Sequence, residues 1–325
     1  MQDSSVAVIV RTKDRPRFLE RALANIAEQT YPQIHTVVVN DGGDPALVDR
    51  LVEESALTDT QVIHHETNLG MEVASNVGIR ASESTFIAIH DDDDLWEPTF
   101  LEKTVVALQK NADVMVVVRT DEYFERITEN GFEFVESRPF WEYLQGVNVI
   151  DYFRINRAVP IGILYRRSLL EEVGYYKETL PVVGDWEFNI RVASAHPVLF
   201  LDENLAHWSK RLDASGTDSN SVYAAANQHK YYDARVRSDA VRDHLAQGAH
   251  PAPYFYNAHL ANEVQEAVLQ SHGLLHEVLE KLDRIEAKQQ EQDERLARME
   301  RALSLKNRVS SLASKIQRFN PRGGQ

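Results

Sequence analysis

Short apolar runs alternate with amphipathic helical patterns over the first hundred residues of the chain. A helix is predicted from about Pro16, where apolar residues recur at helical spacing, and another over residues 73–81. Strands are predicted over residues 6–10, 36–39, 61–65 and 86–89, and the first of these is predicted to be buried. Strands that alternate with helices predict βαβ units around a mainly parallel sheet, which is an α/β fold.

Polar clusters follow three of these predicted strands, over residues 11–14, 40–41 and 91–94. In open α/β sheets, ligands bind outside the carboxyl ends of the strands. The sequence therefore predicts one polar binding site built from these three strand ends.

The pattern changes after residue 113. Strands are predicted over 114–134 and 198–201, a loop and strand around Pro160, and a helix that begins near Asp185. Residues 211–221 are rich in Ser, Asp, Gly and Asn, which predicts a mobile loop.

Apolar and polar positions from residue 274 onward follow a heptad pattern with two glutamine layers. This pattern favours a coiled coil and thus a homo-oligomer, and the alternative is a long helix packed on its own domain. The seam consists of Leu275, Val278, Leu282, Ile285, Gln289, Gln292, Leu296, Met299 and Leu303.

The last part of the chain contains no acidic residue after Glu300. Its apolar residues share one helical face, which predicts a basic amphipathic helix that binds either an anionic membrane surface or protein. The basic residues are Lys306, Arg308, Lys315, Arg318 and Arg322, and the apolar ones Leu305, Val309, Leu312, Ile316 and Phe319.

The formal net charge of −15 excludes broad phosphate neutralisation, so we expect no nucleic-acid partner. The 325 residues include no cysteine, which excludes thiol nucleophiles and zinc–thiolate sites. We expect neither a signal peptide nor a membrane-spanning helix, because no apolar run approaches the roughly 20 residues required. A cytoplasmic protein is expected, with the tail as the candidate contact to the inner face of the membrane.

The run of four aspartates at 91–94 is the first candidate for chemistry. Carboxylates crowded after a strand suit Mn²⁺ or Mg²⁺, which prefer hard oxygen ligands. The alternative is a solvated acidic loop or a helix cap.

Several blocks together resemble glycosyltransferase family two, whose members have the GT-A fold. They occur in the family's order over about the first hundred residues, and any one of them alone would be weak evidence. The blocks are VIVRTKDR at 8–15, QTYP at 29–32, VVVNDGG at 37–43, NLG at 68–70, ASNVGI at 74–79 and HDDDDLWEP at 90–98.

This resemblance implies a nucleoside pocket lined by Arg11, Thr12 and Asp41, with the Asp41 carboxylate accepting a hydrogen bond from the base. It also implies that Asn76 approaches the ribose or the diphosphate. The alternatives are a turn role for Asp41 before two glycines and a helix-packing amide for Asn76.

The aspartate block resembles the family's Asp-x-Asp-Asp segment. Asp91 and Asp92 are thereby assigned to the donor site, and Asp91 and Asp93 to the metal. His207 lies where many relatives place a histidine near the metal and diphosphate; its alternative is a structural role.

The segment from Gly184 resembles the one that carries the family's catalytic base, which implies that Asp185 is the base. Family members often have Glu-Asp where this chain has Gly184-Asp185. The alternatives are an N-cap role for Asp185 and Glu187 as a substitute base. Lys210 and Arg211 are candidates to clamp the diphosphate.

The resemblance implies an inverting, metal-dependent glycosyltransferase that uses a nucleotide-sugar donor, with UDP-sugar favoured because it is common in the family, and a glycan or lipid-linked acceptor. The expected regions are 1–115 for the donor, 116–215 for the acceptor, 216–273 as a helical linker and 274–325 as coiled coil and tail. The alternatives are a non-catalytic scaffold and another metal-dependent nucleotide transferase, although the chain lacks a Gly-rich, Lys-containing phosphate loop.

Overall fold

The structure, a computed structural model, describes residues 4–129, 131–211 and 226–318. Its strands are β1 Val6–Thr12, β2 Ile34–Asp41, β3 Thr60–His65, β4 Phe86–Asp91, β5 Leu95–Trp96, β6 Met115–Thr128, β7 Gly131–Pro139, β8 Ile163–Arg166 and β9 Leu199–Lys210. Its α-helices are α1 Pro16–Ala27, α2 Pro45–Glu54, α3 Met71–Arg80, α4 Phe100–Lys110, α5 Val149–Arg154, α6 Leu169–Val173, α7 Gly184–Ala195, α8 Ala226–Ala246 and α9 Ala252–Arg318.

The strands of the described residues form one sheet in the order β3-β2-β1-β4-β8-β6-β9-β5, with β7 paired to β6. The first four strands in this order are parallel, so their carboxyl ends meet at one edge. Strand β8 runs antiparallel to both β4 and β6 and joins the two halves of the sheet. The strand ends that were predicted to share a site therefore lie at one edge.

Helices cover both faces of the sheet because successive side chains of the buried strands point to opposite sides. In β1, Val8 faces the side covered by α1 and α4, and Ile9 faces the side covered by α3 and α7. Each side has its own hydrophobic cluster of buried residues. Runs buried on both faces, such as residues 6–10, are typical of parallel strands in a three-layer fold.

The structure confirms the four predicted strands and the helices that begin near Pro16 and Asp185. The segment around Pro160 is a short 3₁₀ turn followed by β8. Helix α2 was not predicted, although Asp44 caps it by accepting a hydrogen bond from the Ala46 N–H and Pro45 occupies its first position.

The chain divides into two compact units, residues 1–241 and 242–325. The second unit contains α9, which begins well before the predicted heptad seam and includes both the seam and the basic segment in one helix. The domain borders predicted at 115, 215 and 273 stay predictions. The predicted mobile loop, apart from Arg211, and the tail residues Phe319 and Arg322 lie outside the described residues. Among the residues described, no helix is both long and apolar enough to span a bilayer.

Candidate active site

A cavity of about 420 Å³ opens at the carboxyl ends of β1, β2 and β4. The loop between β3 and α3 forms its rim, and Pro181 and Trp208 extend it toward the second half of the sheet. Of the predicted site residues, this cavity is lined by Arg11, Thr12, Asp41, Asp91, Asp92 and Asp93.

Asp41, the last residue of β2, holds the rim loop against the sheet. Its carboxylate accepts hydrogen bonds from the N–H groups of Leu69 and Gly70, at 2.8 and 2.9 Å, and its Oδ1 lies 2.8 Å from the His65 Nδ1. Gly42 has φ of +85°, and a β-carbon there would lie 2.6 Å from the backbone nitrogen of Asn68. The chain can therefore turn beneath the rim only with glycine at this position.

Asp91 is the most accessible of the three predicted aspartates, with 26% of its side chain exposed. The Arg11 Nε donates to its Oδ1 at 2.8 Å, and the Arg11 Nη1 donates to Ser75 Oγ at 3.1 Å. The same guanidinium lies 3.6 Å from the Glu72 carboxylate. The Arg11 side chain therefore contacts residues of both β4 and α3.

Asp92 and Asp93 are buried and are neutralised by arginines from other elements. Arg15, which precedes α1, contacts Asp92 Oδ1 at 2.9 Å and Asp93 Oδ2 at 2.8 Å. Thr12 Oγ1 donates to Asp92 Oδ2 at 2.8 Å. Arg211, at the end of β9, is almost fully buried and pairs with Asp93. The aspartate run is therefore part of a buried ion-pair network, and the alternative of a solvated loop is wrong.

Burial and neighbouring charges shift the pKa values of these adjacent carboxyl groups in different directions. Burial raises the pKa of Asp92 and Asp94, and the nearby negative charge of Asp93 raises both further. Burial alone would raise the pKa of Asp93 as well. The positive charges of Arg15 and Arg211 outweigh this effect and hold the pKa of Asp93 below its usual value. Asp93 is therefore the member of the run that the protein keeps ionised most strongly.

The carboxylates at the cavity can bind a divalent cation only if a substrate supplies the remaining metal ligands. In the part of the chain that the structure describes, no group of three or more His, Asp or Glu side chains is placed to hold a metal ion. Mg²⁺ and similar cations are commonly bound by one or two carboxylates together with substrate phosphates and water. Asp91 and Asp93 both line the cavity and supply hard oxygen atoms of that kind.

Asp185 is the second residue of α7. Val183 is the N-cap position and has no side-chain cap hydrogen bond, so the N-cap alternative for Asp185 is wrong. The Asn156 Nδ2 donates to the Asp185 carboxylate at 2.7 Å. Burial raises the pKa of Asp185, while Arg11 lowers it and Asp91 raises it. Asp185 itself does not line the cavity. The preceding residue, Gly184, packs against Glu72, which lies 3.6 Å from the Arg11 guanidinium at the cavity.

Asn76 and His207 do not line the cavity. Asn76 is buried, and its side-chain amide bonds the backbone N–H and C=O of Tyr176 at 3.1 and 2.9 Å. The Nε2 of His207 lies 2.9 Å from the Glu97 carboxylate. The structure therefore does not bring these two residues together with the other predicted ones.

The remaining candidates are engaged in buried contacts. Glu187 is paired with Lys177 and Arg191, both at 2.9 Å, which gives it a structural role in place of that of a substitute base. The Lys210 Nζ lies 3.0 Å from the centroid of the Trp208 ring. Burial lowers the pKa of Lys210 to about 8.

Sequence reasoning assigned no role to Arg15 or Glu72. Arg15 lies inside a matched sequence block, directly after the polar residues that follow β1. This position was the signal in the sequence that could have identified it as a site residue. Glu72 resembles an ordinary acidic residue in the first turn of a helix, a position that the helix dipole favours. Its contacts with distant parts of the chain give no local signal in the sequence.

The sequence profile of Glycosyl transferase family 2 matches residues 7–174. An uncharacterized glycosyltransferase, YwdF, from Bacillus subtilis is 29% identical over 195 residues, which cover 59% of this chain and 69% of that protein. An uncharacterized protein, y4gI, from Sinorhizobium fredii is 26% identical over 267 residues, which cover 78% of this chain and 27% of that protein.

Among solved structures, S. aureus TarS 1–349 in complex with UDP-GlcNAc is similar, with a TM-score of 0.53 and 20% identity. The match covers 66% of this chain and 61% of that one, so this chain spans less than two thirds of that relative. At this identity the likeness concerns the fold. The profile match covers more than half of the chain and includes the strand ends that form the cavity. The chain therefore belongs to glycosyltransferase family 2 and has its GT-A fold.

Proposed function

We propose that this protein is an inverting, metal-dependent glycosyltransferase that moves a sugar from a nucleoside diphosphate sugar to an acceptor hydroxyl. The observation that carries the proposal is the cavity at the ends of β1, β2 and β4, which combines Asp41, Arg11 and the aspartate run. Asp185 follows Gly184, which packs against Glu72, and Glu72 lies 3.6 Å from Arg11 at the cavity. Family membership supports the reaction class.

In this proposal, Arg11, Thr12 and Asp41 bind the nucleoside side of the donor. Asp91, Asp92 and Asp93 would face the diphosphate, and Asp91 and Asp93 would hold Mn²⁺ or Mg²⁺. Such a cation would supply positive charge that neutralises the diphosphate. A uridine nucleotide is favoured because it is common in the family, and the similar TarS structure contains UDP-GlcNAc.

Asp185 is the proposed general base. It accepts the proton of the acceptor hydroxyl while the acceptor oxygen forms a bond to the anomeric carbon. The bond from that carbon to the diphosphate oxygen breaks, and the nucleoside diphosphate leaves with the electron pair. A single displacement of this kind inverts the anomeric configuration. Asn156, which donates to the Asp185 carboxylate, would keep the base oriented.

Donor binding is the direct test of this function. Thermal unfolding of the full chain is measured with UDP, GDP and their sugar conjugates, each with and without Mn²⁺ or Mg²⁺. A ligand at one hundred times its Kd stabilises the native state by about 2.7 kcal/mol. Stabilisation by one nucleotide, increased by the cation, supports the proposal, whereas the absence of any shift with all of these ligands contradicts it.

Activity should depend on pH through Asp185. Burial raises the pKa of Asp185 above the ordinary value of 3.8, and only the ionised carboxylate can accept a proton. We therefore expect kcat/KM to fall as the pH decreases through this raised pKa, and to be constant above it until other groups titrate. Initial rates between about pH 4 and pH 8 test this expectation. A profile that stays flat down to the ordinary aspartate range would contradict it.

We further propose that the acceptor is a glycan or a lipid-linked saccharide of surface polysaccharide synthesis and that the chain forms a homo-oligomer. The apolar residues of the seam in α9 are exposed, each by about half or more of its surface. A row of exposed apolar residues at heptad spacing favours association with a second copy. The basic segment that follows would then be present in several copies, which strengthens weak contacts with an anionic membrane.

Removal of residues 274–325 should give a smaller oligomer whose remaining chain still binds nucleotide, because the proposed site residues lie before residue 211. Leu282→Glu combined with Ile285→Glu should have the same effect, while Ala287→Glu, off the seam, should not. Light scattering measures the masses, and flotation with anionic liposomes measures membrane binding. Equal masses for the full-length and truncated chains would contradict the coiled coil.

A further inference from the structure

Glu72 is a buried carboxylate that the proposed mechanism does not use. It lies in the first turn of α3 and is only 4% exposed. Its Oε2 lies 3.6 Å from the Arg11 guanidinium, and its carboxyl group packs directly against the Gly184 backbone. Burial raises the pKa of Glu72, and the positive charge of Arg11 offsets part of that rise. A buried acid of this kind is retained only where its partners compensate the cost of removing it from water.

Gly184 leaves room for the Glu72 carboxyl group because it has no side chain. A β-carbon added at Gly184 would lie 2.2 Å from Glu72 Oε1 and 2.5 Å from its Cδ. Gly184 is not among the glycines with positive φ, so its backbone conformation alone does not require glycine. What excludes a side chain at residue 184 is therefore the position of Glu72.

Val183, the residue before Gly184, has a strained backbone conformation. Among the described residues, Val183 is one of two non-glycine residues with positive φ, at +59°, and β-branched side chains strongly disfavour that conformation. The other is Asp14, at +54°, in the loop after β1. Strained backbone persists only when surrounding contacts hold it, and it concentrates at functional sites. The packing of Gly184 against the Glu72 side chain is one such contact, directly before Asp185.

We propose that Glu72 is a positioning residue that holds Arg11 on one side and the first turn of α7 on the other. It thereby fixes the distance between the donor cavity, which Arg11 lines, and Asp185. This role rests on the proposed function of Asp185 as the base. Glu72 therefore fills, from α3, the space that a side chain at residue 184 of α7 would enter.

Four variants distinguish the effect of the Glu72 carboxyl group from the effect of the volume that its side chain fills. They are Glu72→Gln, Gly184→Ala, Gly184→Ala with Glu72→Asp, and Gly184→Ala with Glu72→Ala. We expect kcat to fall about tenfold or more in each single variant, since misplacement by about 1 Å can cost a hundredfold. The Kd for UDP should change less than kcat does, because Asp91 and Ser75 still hold Arg11 at the cavity. Glu83→Gln, an exposed acid after α3, and Gly273→Ala, where a β-carbon meets no atom, are the controls and should match the wild type.

The two double variants decide between positioning and packing. Both relieve the overlap, so both should regain the melting temperature lost in Gly184→Ala. Only the variant that keeps a carboxylate, Glu72→Asp, should regain kcat. If the Gly184→Ala, Glu72→Ala variant recovers kcat together with its melting temperature, Glu72 only fills space and the proposal is overturned.

A measurement without turnover keeps this test separate from the proposed function. In Glu72→Ala, hydrogen exchange followed by mass spectrometry should become faster in two peptides at once, the one that contains Arg11 and the one that contains residues 183–187. Glu83→Ala should leave both unchanged. Unchanged exchange in either peptide would overturn the positioning role, whereas absence of transfer by the wild type together with faster exchange would contradict only the proposed function.

Discussion

Asp185→Asn is expected to lose about a hundredfold or more in kcat, the usual scale for removal of a general base. Asparagine has the same shape and can still accept the hydrogen bond that Asn156 donates at 2.7 Å. It cannot accept a proton from the acceptor hydroxyl. Donor binding and the melting temperature should therefore change little, because the loss concerns a step that occurs only during transfer.

Asp151→Asn is a matched control for this variant. Asp151 also lies in the first turn of a helix, α5, and also accepts a hydrogen bond from an asparagine side chain, that of Asn148. It does not line the donor cavity. This variant should therefore keep normal kcat. Near-normal turnover in Asp185→Asn would mean that Asp185 is not the base and that another carboxylate must be sought.

The parts of the fold that the sequence predicted are those controlled by local pattern. Uninterrupted apolar runs such as residues 6–10 and 86–89 predict strands buried on both faces, and the structure contains β1 and β4 there. Since parallel strands share one edge, the proximity of Arg11, Asp41 and Asp91 follows from the pattern without any knowledge of side-chain contacts.

Contacts between distant segments could not be predicted in this way. Arg15 and Arg211 come from opposite ends of the first unit and meet at Asp93. Asn76, which the resemblance assigned to the donor, bonds the backbone of Tyr176, and nothing near residue 76 in the sequence indicates that partner. Tertiary partners decide the roles of such side chains, and these partners depend on the packing of α3 against the second half of the fold.

Asp93→Asn is expected to abolish transfer and to remove the dependence of nucleotide affinity on Mn²⁺. The substitution removes the carboxylate that Arg15 and Arg211 keep ionised and that faces the cavity. Affinity for UDP is measured by calorimetry with Mn²⁺ and with excess chelator, and transfer is measured under the same conditions. The wild type should bind UDP more tightly with Mn²⁺, and the variant should bind equally with and without it. Wild-type transfer that is insensitive to chelator would contradict the metal role directly.

The same substitution also disturbs a buried ion-pair network, so stability has to be separated from metal binding. Loss of one partner of a buried pair typically costs about 3–5 kcal/mol when the other charge is left uncompensated. Here Arg211 keeps Glu125 and Arg15 keeps Asp92 as partners, so the loss in the free energy of unfolding should be smaller than that.

Glu125→Gln is the control that separates these two effects. Glu125 pairs with Arg211 and Arg21 within the same network, is equally buried, and does not line the cavity. Glu125→Gln should therefore lower the melting temperature as Asp93→Asn does, yet UDP binding should keep its dependence on Mn²⁺. If both variants lose that dependence, the arginine network as a whole controls the cavity, and the assignment of Asp93 as the ligand is wrong. If neither loses it, the cation binds elsewhere, and Asp91, the more exposed carboxylate of the run, becomes the residue to substitute next.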